Sequence, residues 1–120
     1  MLKRHTISFK NAFAGLVWAV KTQPNFRIHF FLSALSIAGG FLFKISYFEF
    51  ILIIILIFIG LTIETINTGI EQTTDAIDQN WREDIKIAKD VSAAAMLFFS
   101  IGAFITAAII FIPRILALFK

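Results

Sequence analysis

The stretch that decides the fold is VSAAAMLFFSIGAFITAAIIFI, residues 91–112, which contains no charged side chain. A helix needs about 20 consecutive apolar residues to cross the hydrocarbon core of a bilayer, so this segment alone predicts a membrane span. Pro113 follows directly and is expected to close the helix, because proline removes a backbone donor and clashes with the preceding turn. We therefore expect a transmembrane helix at 90–112.

Two shorter apolar segments precede it, at residues 28–43 and 50–63. Lys44 lies between them and can extend its charged end to the headgroups, while Tyr47 and Phe48 suit the membrane interface. We therefore expect further transmembrane helices at 28–46 and 48–70. The whole chain of 120 residues is 58% apolar and 16% charged, whereas soluble domains have roughly 25% charged residues. This composition excludes a soluble globular protein and predicts a single all-α integral membrane domain, residues 1–120.

The N-terminal segment is basic and amphipathic. Residues 1–29 contain five lysines and arginines and no acid. Apolar side chains recur there at three- and four-residue spacing, which is typical of one face of a helix. They are Phe9, Phe13, Leu16, Val17 and Val20. Because a basic helix of this kind lies on the membrane surface, we predict an amphipathic surface helix at 1–23, ending before Pro24.

The distribution of lysine and arginine predicts the orientation in the membrane. Eight of the 11 lie in the N-terminal segment or between residues 64 and 90, and the other three are Lys44, Arg114 and Lys120. Basic residues are enriched in cytoplasmic segments. We therefore expect the N-terminus and a link at 71–89 to be cytoplasmic and the C-terminus to lie outside. An active site in the polar link would then face the cytoplasm.

The residues suited to chemistry lie where the second span leaves the membrane. On a helix with about 100° per residue, Glu64, Asn67, Glu71 and Asp75 fall at about 0°, 300°, 340° and 20°. These four residues, which we call the polar stripe, are joined by Asp78 at about 320°. Carboxylates crowded near a bilayer repel one another and lose solvation, so such a stripe indicates a neutralising cation. Mg²⁺ suits these oxygen ligands, and Glu64, the deepest, suits a general base.

Several of these residues also have a plainer interpretation. Asp75 and Asp78 would equally suit a solvated helix end, and Lys89 would suit a side chain that anchors its helix at the headgroups. Asp90 fits either the positive end of a helix dipole or a group that orients a phosphate beside Lys89. Arg27 fits a positive-inside anchor. The sequence has no cysteine, no phosphate-binding loop, no protein-kinase motif and no pattern typical of nucleic-acid binding.

Two motifs, in this order, resemble the prokaryotic diacylglycerol kinase family, which includes diacylglycerol kinases and undecaprenol kinases. The first is Glu64-x-x-Asn67-Thr-Gly-Ile-Glu71-x-x-x-Asp75, and the second is Ala88-Lys89-Asp90-x-x-Ala-Ala. The likeness includes the Asn-Phe-Arg-Ile-His stretch at 25–29 and the three spans, and so covers nearly the whole chain. It implies a multi-pass kinase of the bacterial inner membrane that forms a homotrimer. Such a kinase uses ATP and Mg²⁺ to phosphorylate the primary hydroxyl of diacylglycerol or undecaprenol.

The same resemblance implies roles for individual residues. Glu64 would be the general base beside the lipid hydroxyl, and Glu71 would bind the metal ion. The residues implied to hold the nucleotide are Arg4, Glu71, Asp75, Lys89 and Asp90. Those implied to contact the lipid are Glu64, Asn67, Asn25, Phe26, Arg27 and His29. Neighbouring protomers of the trimer would share each active site.

Two positions depart from the family pattern. Gln23 stands where the family often has a second metal-binding glutamate, and an amide oxygen is a weaker metal ligand, so this change bears on metal affinity. Gly69 stands where alanine is usual, which weakens the helix by about 0.5–1 kcal/mol. Two other classes of function stay open at this point. One is a non-catalytic membrane assembly protein, which needs only the spans, and the other is a cation-conducting oligomer lined by the carboxylates.

Overall fold

The computed structural model contains four α-helices and describes residues 2–119, with side chains from residue 6 onward. The helices are α1 (Leu2–Thr22), α2 (Pro24–Leu42), α3 (Tyr47–Ile77) and α4 (Glu83–Ala117). Helices α2, α3 and α4 are each long and apolar enough to cross a membrane. The prediction of an all-α fold with three such helices is therefore confirmed. Arg4 lies outside the residues whose side chains are described.

The helices do not coincide with the predicted spans, because a helix need not end where the membrane does. α3 continues beyond the predicted 48–70 to Ile77, so the whole polar stripe lies on one unbroken helix. α4 begins at Glu83, and the non-helical connection covers 78–82, a shorter segment than the predicted link at 71–89. α2 occupies 24–42 where 28–46 was expected, since Pro24 suits the first position of a helix.

Pro113 does not end α4, contrary to the sequence-based expectation. The helix continues to Ala117. The guanidinium of Arg114 donates one hydrogen bond to the Ile110 carbonyl at 2.6 Å and another to the Glu49 carboxylate at 2.8 Å. These bonds hold the last turns of α4 against the first turn of α3. Because they join the end of one helix to the start of the other, α3 and α4 run antiparallel.

The turn between α2 and α3 makes these two helices neighbours. Lys44 has a φ of 49°, in the left-handed region, at the point where the chain reverses. Ser46 then caps α3: its hydroxyl accepts from the Glu49 N–H at 3.3 Å, and its own N–H donates to the Glu49 carboxylate at 2.6 Å. This reciprocal capping box satisfies two backbone donors. The helix start is thereby fixed close to the end of α2.

α3 is the central helix and contacts the other three. Its Ile53 packs with Ile45 and with Ile110 of α4 to form a small buried core. Most large apolar side chains of α2, α3 and α4 are instead exposed on the outside of the bundle. An apolar exterior of this extent suits contact with lipid or with other protein chains rather than with water.

Gly60 allows α3 and α4 to approach each other closely. A Cβ atom at this position would lie 2.6 Å from the ring of Phe99 on α4, whereas a Cβ atom at Gly102 would meet nothing within 4 Å. We expect Gly60→Ala to lower the free energy of unfolding by about 1–3 kcal/mol through overpacking. Gly102→Ala is the matched control and should not lower it. Unfolding in a denaturing detergent measures both, and equal stability of the two variants would contradict this packing.

Candidate functional site

The polar stripe lies on a face of α3 that becomes more exposed along the helix. Glu64 and Asn67 are only 2% and 4% exposed, and Glu71 and Asp75, further along the helix, are half-buried. The helix therefore presents a shielded carboxylate within the bundle and accessible carboxylates nearer the 78–82 connection. This gradient lets one helix face contact an apolar ligand at one end and a hydrated, charged ligand at the other.

Glu64 is a buried carboxylate that receives no hydrogen bond from any residue between 6 and 119. Its neighbour is the imidazole of His29 on α2, whose Nε2 lies 3.9 Å from Oε2, beyond hydrogen-bond distance. No fully buried side-chain oxygen of the described residues lacks a hydrogen-bond partner, so the unbonded oxygens of Glu64 keep a small contact with the surface. An acceptor that a ligand can still reach suits a binding site. A hydroxyl placed beside Glu64 would supply the missing donor.

Asn67 connects α3 to α4 through its side-chain amide. Its Nδ2 donates to Glu71 Oε1 at 3.0 Å, and its Oδ1 accepts from the hydroxyl of Ser92 on α4 at 2.7 Å. Glu71 is thereby held through one carboxylate oxygen, which leaves Oε2 for a ligand. The three side chains form a continuous hydrogen-bonded path from α4 to the carboxylate predicted to bind the metal ion.

Two ion pairs lie beyond this path. Lys89 on α4 donates to Asp75 on α3, while Asp90 accepts from Lys86 at 2.5 Å. The side chains of Lys89 and Asp75 are 35% and 45% exposed, so water screens their attraction and an incoming anion can compete for the ammonium group. Lys89 thus contacts the polar stripe through Asp75. Asp90 is exposed and pairs with Lys86 on its own helix instead.

The 78–82 connection carries its own charge network. Hydrogen bonds from the backbone and side chain of Asn80 hold the pKa of Asp78 below its ordinary value. The Arg82 guanidinium hydrogen-bonds Asp84 and lowers the pKa of that carboxyl as well. Asp78 is therefore the C-cap of α3, engaged with Asn80 and Arg82. Its role in the structure is to close the helix.

An apolar groove of about 430 Å³ lies between α2, α3 and α4. Its lining is mostly aliphatic and aromatic and includes Gly60, Phe99 and Phe104. His29 also lines it, and its Nε2 lies 3.9 Å from Glu64, which is not itself among the residues that line the groove. Because a cavity of about 150 Å³ accommodates one benzene molecule, a groove of this volume suits a hydrocarbon chain of about 17 carbon atoms.

The stretch at the start of α2 is divided between surface and interior. Asn25 and Arg27 are exposed, and Gln23 is half-buried as the N-cap of α2. Phe26 is fully buried, and its ring centroid lies 6.5 Å from that of Phe30. The structure therefore gives Phe26 a packing role, while Asn25 and Arg27 are accessible to a ligand at the surface.

The residues predicted to bind Mg²⁺ offer few protein ligands. Among the residues that the structure describes, no group of three or more histidine, cysteine, aspartate or glutamate side chains could hold a metal ion. Glu71 offers a carboxylate oxygen and Gln23 an amide oxygen. Mg²⁺ is usually bound through one or two carboxylates together with substrate phosphates and water. The single carboxylate of Glu71 therefore fits a metal ion that arrives with a nucleotide, and no described contact joins Gln23 to it.

The sequence-based prediction left out Ser92 and Lys86. Ser92 lies three residues after Lys89, a spacing that places both side chains on neighbouring positions of one helix face. This spacing places Ser92 near the candidate Lys89 on α4, but it does not indicate that Ser92 contacts Asn67. Lys86 lies four residues before Asp90, which is the usual spacing of an ion pair on a helix.

Comparison with known proteins identifies the family. The prokaryotic diacylglycerol kinase family model matches residues 10–111. A diacylglycerol kinase of Synechocystis sp. is 33% identical over 113 residues, which cover 93% of this chain and 65% of the relative. An undecaprenol kinase of Bacillus subtilis is 32% identical over 114 residues, which cover 95% of this chain and 93% of the relative. The chain thus spans about two thirds of the cyanobacterial relative. Because the family match includes the polar stripe and Lys89 and covers most of the chain, this protein belongs to the prokaryotic diacylglycerol kinase family of lipid kinases.

Proposed function

We propose that this protein uses ATP and Mg²⁺ to phosphorylate the primary hydroxyl of a membrane lipid, diacylglycerol or undecaprenol. The observation that carries the proposal is Glu64, a carboxylate only 2% exposed that receives no hydrogen bond from residues 6–119. It lies 3.9 Å from the imidazole of His29, a residue of the groove wall. A lipid whose chain occupies the groove would present its hydroxyl to this carboxylate. A non-catalytic assembly protein would not need such a group. A cation channel would not need it beside a groove for hydrocarbon.

On the lipid side, the groove and Glu64 act together. The hydrocarbon chain is held by burial of apolar surface against the three helices. The lipid hydroxyl donates a hydrogen bond to the Glu64 carboxylate, which takes the proton as the oxygen attacks the terminal phosphorus of ATP. The bond between that phosphorus and the bridging oxygen breaks at the same time, and ADP leaves. His29, whose Nε2 lies 3.9 Å from the Glu64 carboxylate, helps to orient the hydroxyl. The apolar walls exclude water, so the phosphoryl group passes to the lipid rather than to water.

On the nucleotide side, the half-buried end of the polar stripe receives the phosphates. Phosphoryl transfer needs in-line positioning and neutralised oxygens more than covalent work by the protein. Lys89 exchanges Asp75 for a phosphate oxygen, and Arg4 and Asp90 complete the nucleotide contacts. Glu71, with Gln23, would hold Mg²⁺, which supplies positive charge to the phosphates. The polar stripe of α3 and Lys89 of α4 would thereby bring the proton acceptor and the charge-neutralising groups to either side of the reacting phosphorus.

The same proposal includes the location of the enzyme in the membrane and its oligomeric state. We infer that α1 lies on the cytoplasmic surface of the bacterial inner membrane, with the active site on that side. In α1, Phe9 and Phe13 are 79% and 68% exposed, which suits immersion among lipid headgroups. We also propose a homotrimer in which neighbouring protomers share each active site. The exposed apolar sides of α2 and α4 would then be covered by lipid or by other protomers.

The direct test is lipid phosphorylation by the purified protein in bicelles with labelled ATP and Mg²⁺. Diacylglycerol, undecaprenol and no added lipid are supplied in separate reactions. We expect labelled phospholipid in at least one of the two lipid reactions, and we expect EDTA to abolish it. The ratio of the two rates identifies the preferred substrate. A folded protein that labels neither lipid would contradict the proposal.

A further inference from the structure

We propose that Ser92 is a positioning residue that sets the direction of the Asn67 amide and, through it, the position of the Glu71 carboxylate. The inference rests on the proposed function, in which Glu71 binds Mg²⁺ together with ATP. It adds a residue on α4 that neither the family motifs nor the ion pairs at the site include. Its basis is the hydrogen-bonded path from Ser92 through Asn67 to Glu71.

The first step is the direction of the amide. A serine hydroxyl can donate, so the Ser92 bond at 2.7 Å places the Oδ1 atom of Asn67 towards α4. The NH₂ group of the same amide must then face the opposite way, towards Glu71, where it donates at 3.0 Å. Asn67 is only 4% exposed, so water has little access to replace the serine donor. Without Ser92, the buried amide oxygen loses its partner and the amide is no longer held in one orientation.

The second step is the effect on Glu71. This side chain is half-buried, and its Oε1 accepts from Asn67, so one oxygen is fixed and the other is available for a ligand. Hydrogen bonds behind a metal-binding carboxylate fix its orientation and are costly to remove. An amide that turns would offer its oxygen to Glu71 in place of its NH₂ group. Two oxygens facing each other repel, and the carboxylate would leave its position.

The third step is the arrangement of α4. Ser92 and Lys89 lie three residues apart on this helix, and both contact the polar stripe, Ser92 through Asn67 and Lys89 through Asp75. These two contacts lie on either side of Glu71 along α3. The position of α4 against α3 therefore sets where the Lys89 ammonium group and the Glu71 carboxylate lie. Ser92 links α4 to the Glu71 carboxylate.

The test compares Ser92→Ala with Ser92→Thr, which keeps the hydroxyl, and with Thr73→Ala. Thr73 is an exposed residue of α3 whose hydroxyl bonds only to the Gly69 carbonyl of its own helix, so its loss is a matched control. Two quantities are measured in bicelles. The first is the Mg²⁺ concentration that gives half-maximal lipid phosphorylation. The second is Mn²⁺ binding, followed by electron paramagnetic resonance with a non-hydrolysable ATP analogue and without turnover.

We expect Ser92→Ala to raise both the half-maximal Mg²⁺ concentration and the dissociation constant of Mn²⁺ by about tenfold. This is the lower end of the loss in metal affinity that is typical when a residue orienting a metal ligand is removed. The KM for lipid should change little, Ser92→Thr should restore most of the affinity, and Thr73→Ala should match the wild type. An active wild type with unchanged metal affinity in Ser92→Ala would overturn the role of Ser92. A loss confined to thermal stability would overturn it too. An inactive wild type would instead contradict the proposed function.

Discussion

Glu64→Gln is expected to lower kcat for lipid phosphorylation by about 10²–10⁴-fold, the contribution typical of a general base. Glutamine has nearly the shape of glutamate but cannot take the proton. Glu64 receives no hydrogen bond from residues 6–119, so the change breaks no hydrogen bond to them, although it removes the carboxylate that lies 3.9 Å from the His29 imidazole. The fold should be kept, because glutamine occupies nearly the same volume as glutamate. The KM for lipid should change little, since the groove is unaltered.

The matched control for this variant is Glu83→Gln, the same chemical change in the first turn of α4, where the side chain is exposed. It should keep the wild-type kcat. Both variants are assayed in the same bicelles, and thermal unfolding shows that each is folded. A folded Glu64→Gln protein that phosphorylates lipid at the wild-type rate would mean that another group takes the hydroxyl proton, and the assignment of Glu64 would be wrong.

The helices and the polar stripe could be predicted from sequence because both depend on local properties. A run without charges such as 91–112 predicts a span by length alone, and residues three and four apart share a helix face whatever surrounds them. The structure carries the stripe on one helix, Tyr47–Ile77. The end of α4 differs from the one predicted at Pro113, and the bond from Arg114 to Glu49, 65 residues away, lies outside any local rule.

The contacts between helices could not be predicted, since they depend on how two helices pack. Ser92 and Asn67 are 25 residues apart, and Arg114 and Glu49 are 65 apart. Nothing in the sequence around Asn67 indicates which residue of α4 meets it. Burial was predicted for Glu64 because it lies next to an apolar run, but the sequence attributes that burial to the bilayer. The structure shows that the protein itself covers Glu64, with His29 as its neighbour.

Glu71→Gln is expected to lower activity by about 10²–10³-fold at millimolar Mg²⁺, since a bound metal ion contributes several kcal/mol to the transition state and each 1.4 kcal/mol is tenfold. The expected loss of activity is large because the proposed metal site has few acidic side chains. The described residues hold no cluster of three metal-binding side chains, and Gln23, at the proposed second ligand position, has a neutral amide. In the proposed site, most of the attraction that the protein supplies for the metal ion would therefore come from one carboxylate.

The glutamine side chain keeps an oxygen that can accept from Asn67 in place of Glu71 Oε1, so the path to Ser92 should survive in this variant. The defect should thus be one of metal affinity, and raising the Mg²⁺ concentration should recover part of the lost rate.

Adding Gln23→Glu to the Glu71→Gln protein returns a carboxylate to the proposed second ligand position. We expect it to lower the Mg²⁺ concentration needed for half-maximal activity, in this variant and in the wild type. If Glu71→Gln responded to Mg²⁺ as the wild type does, Glu71 would not be a metal ligand. If Gln23→Glu changed nothing, position 23 would lie away from the metal ion, and Glu71 would be the sole ligand of the pair.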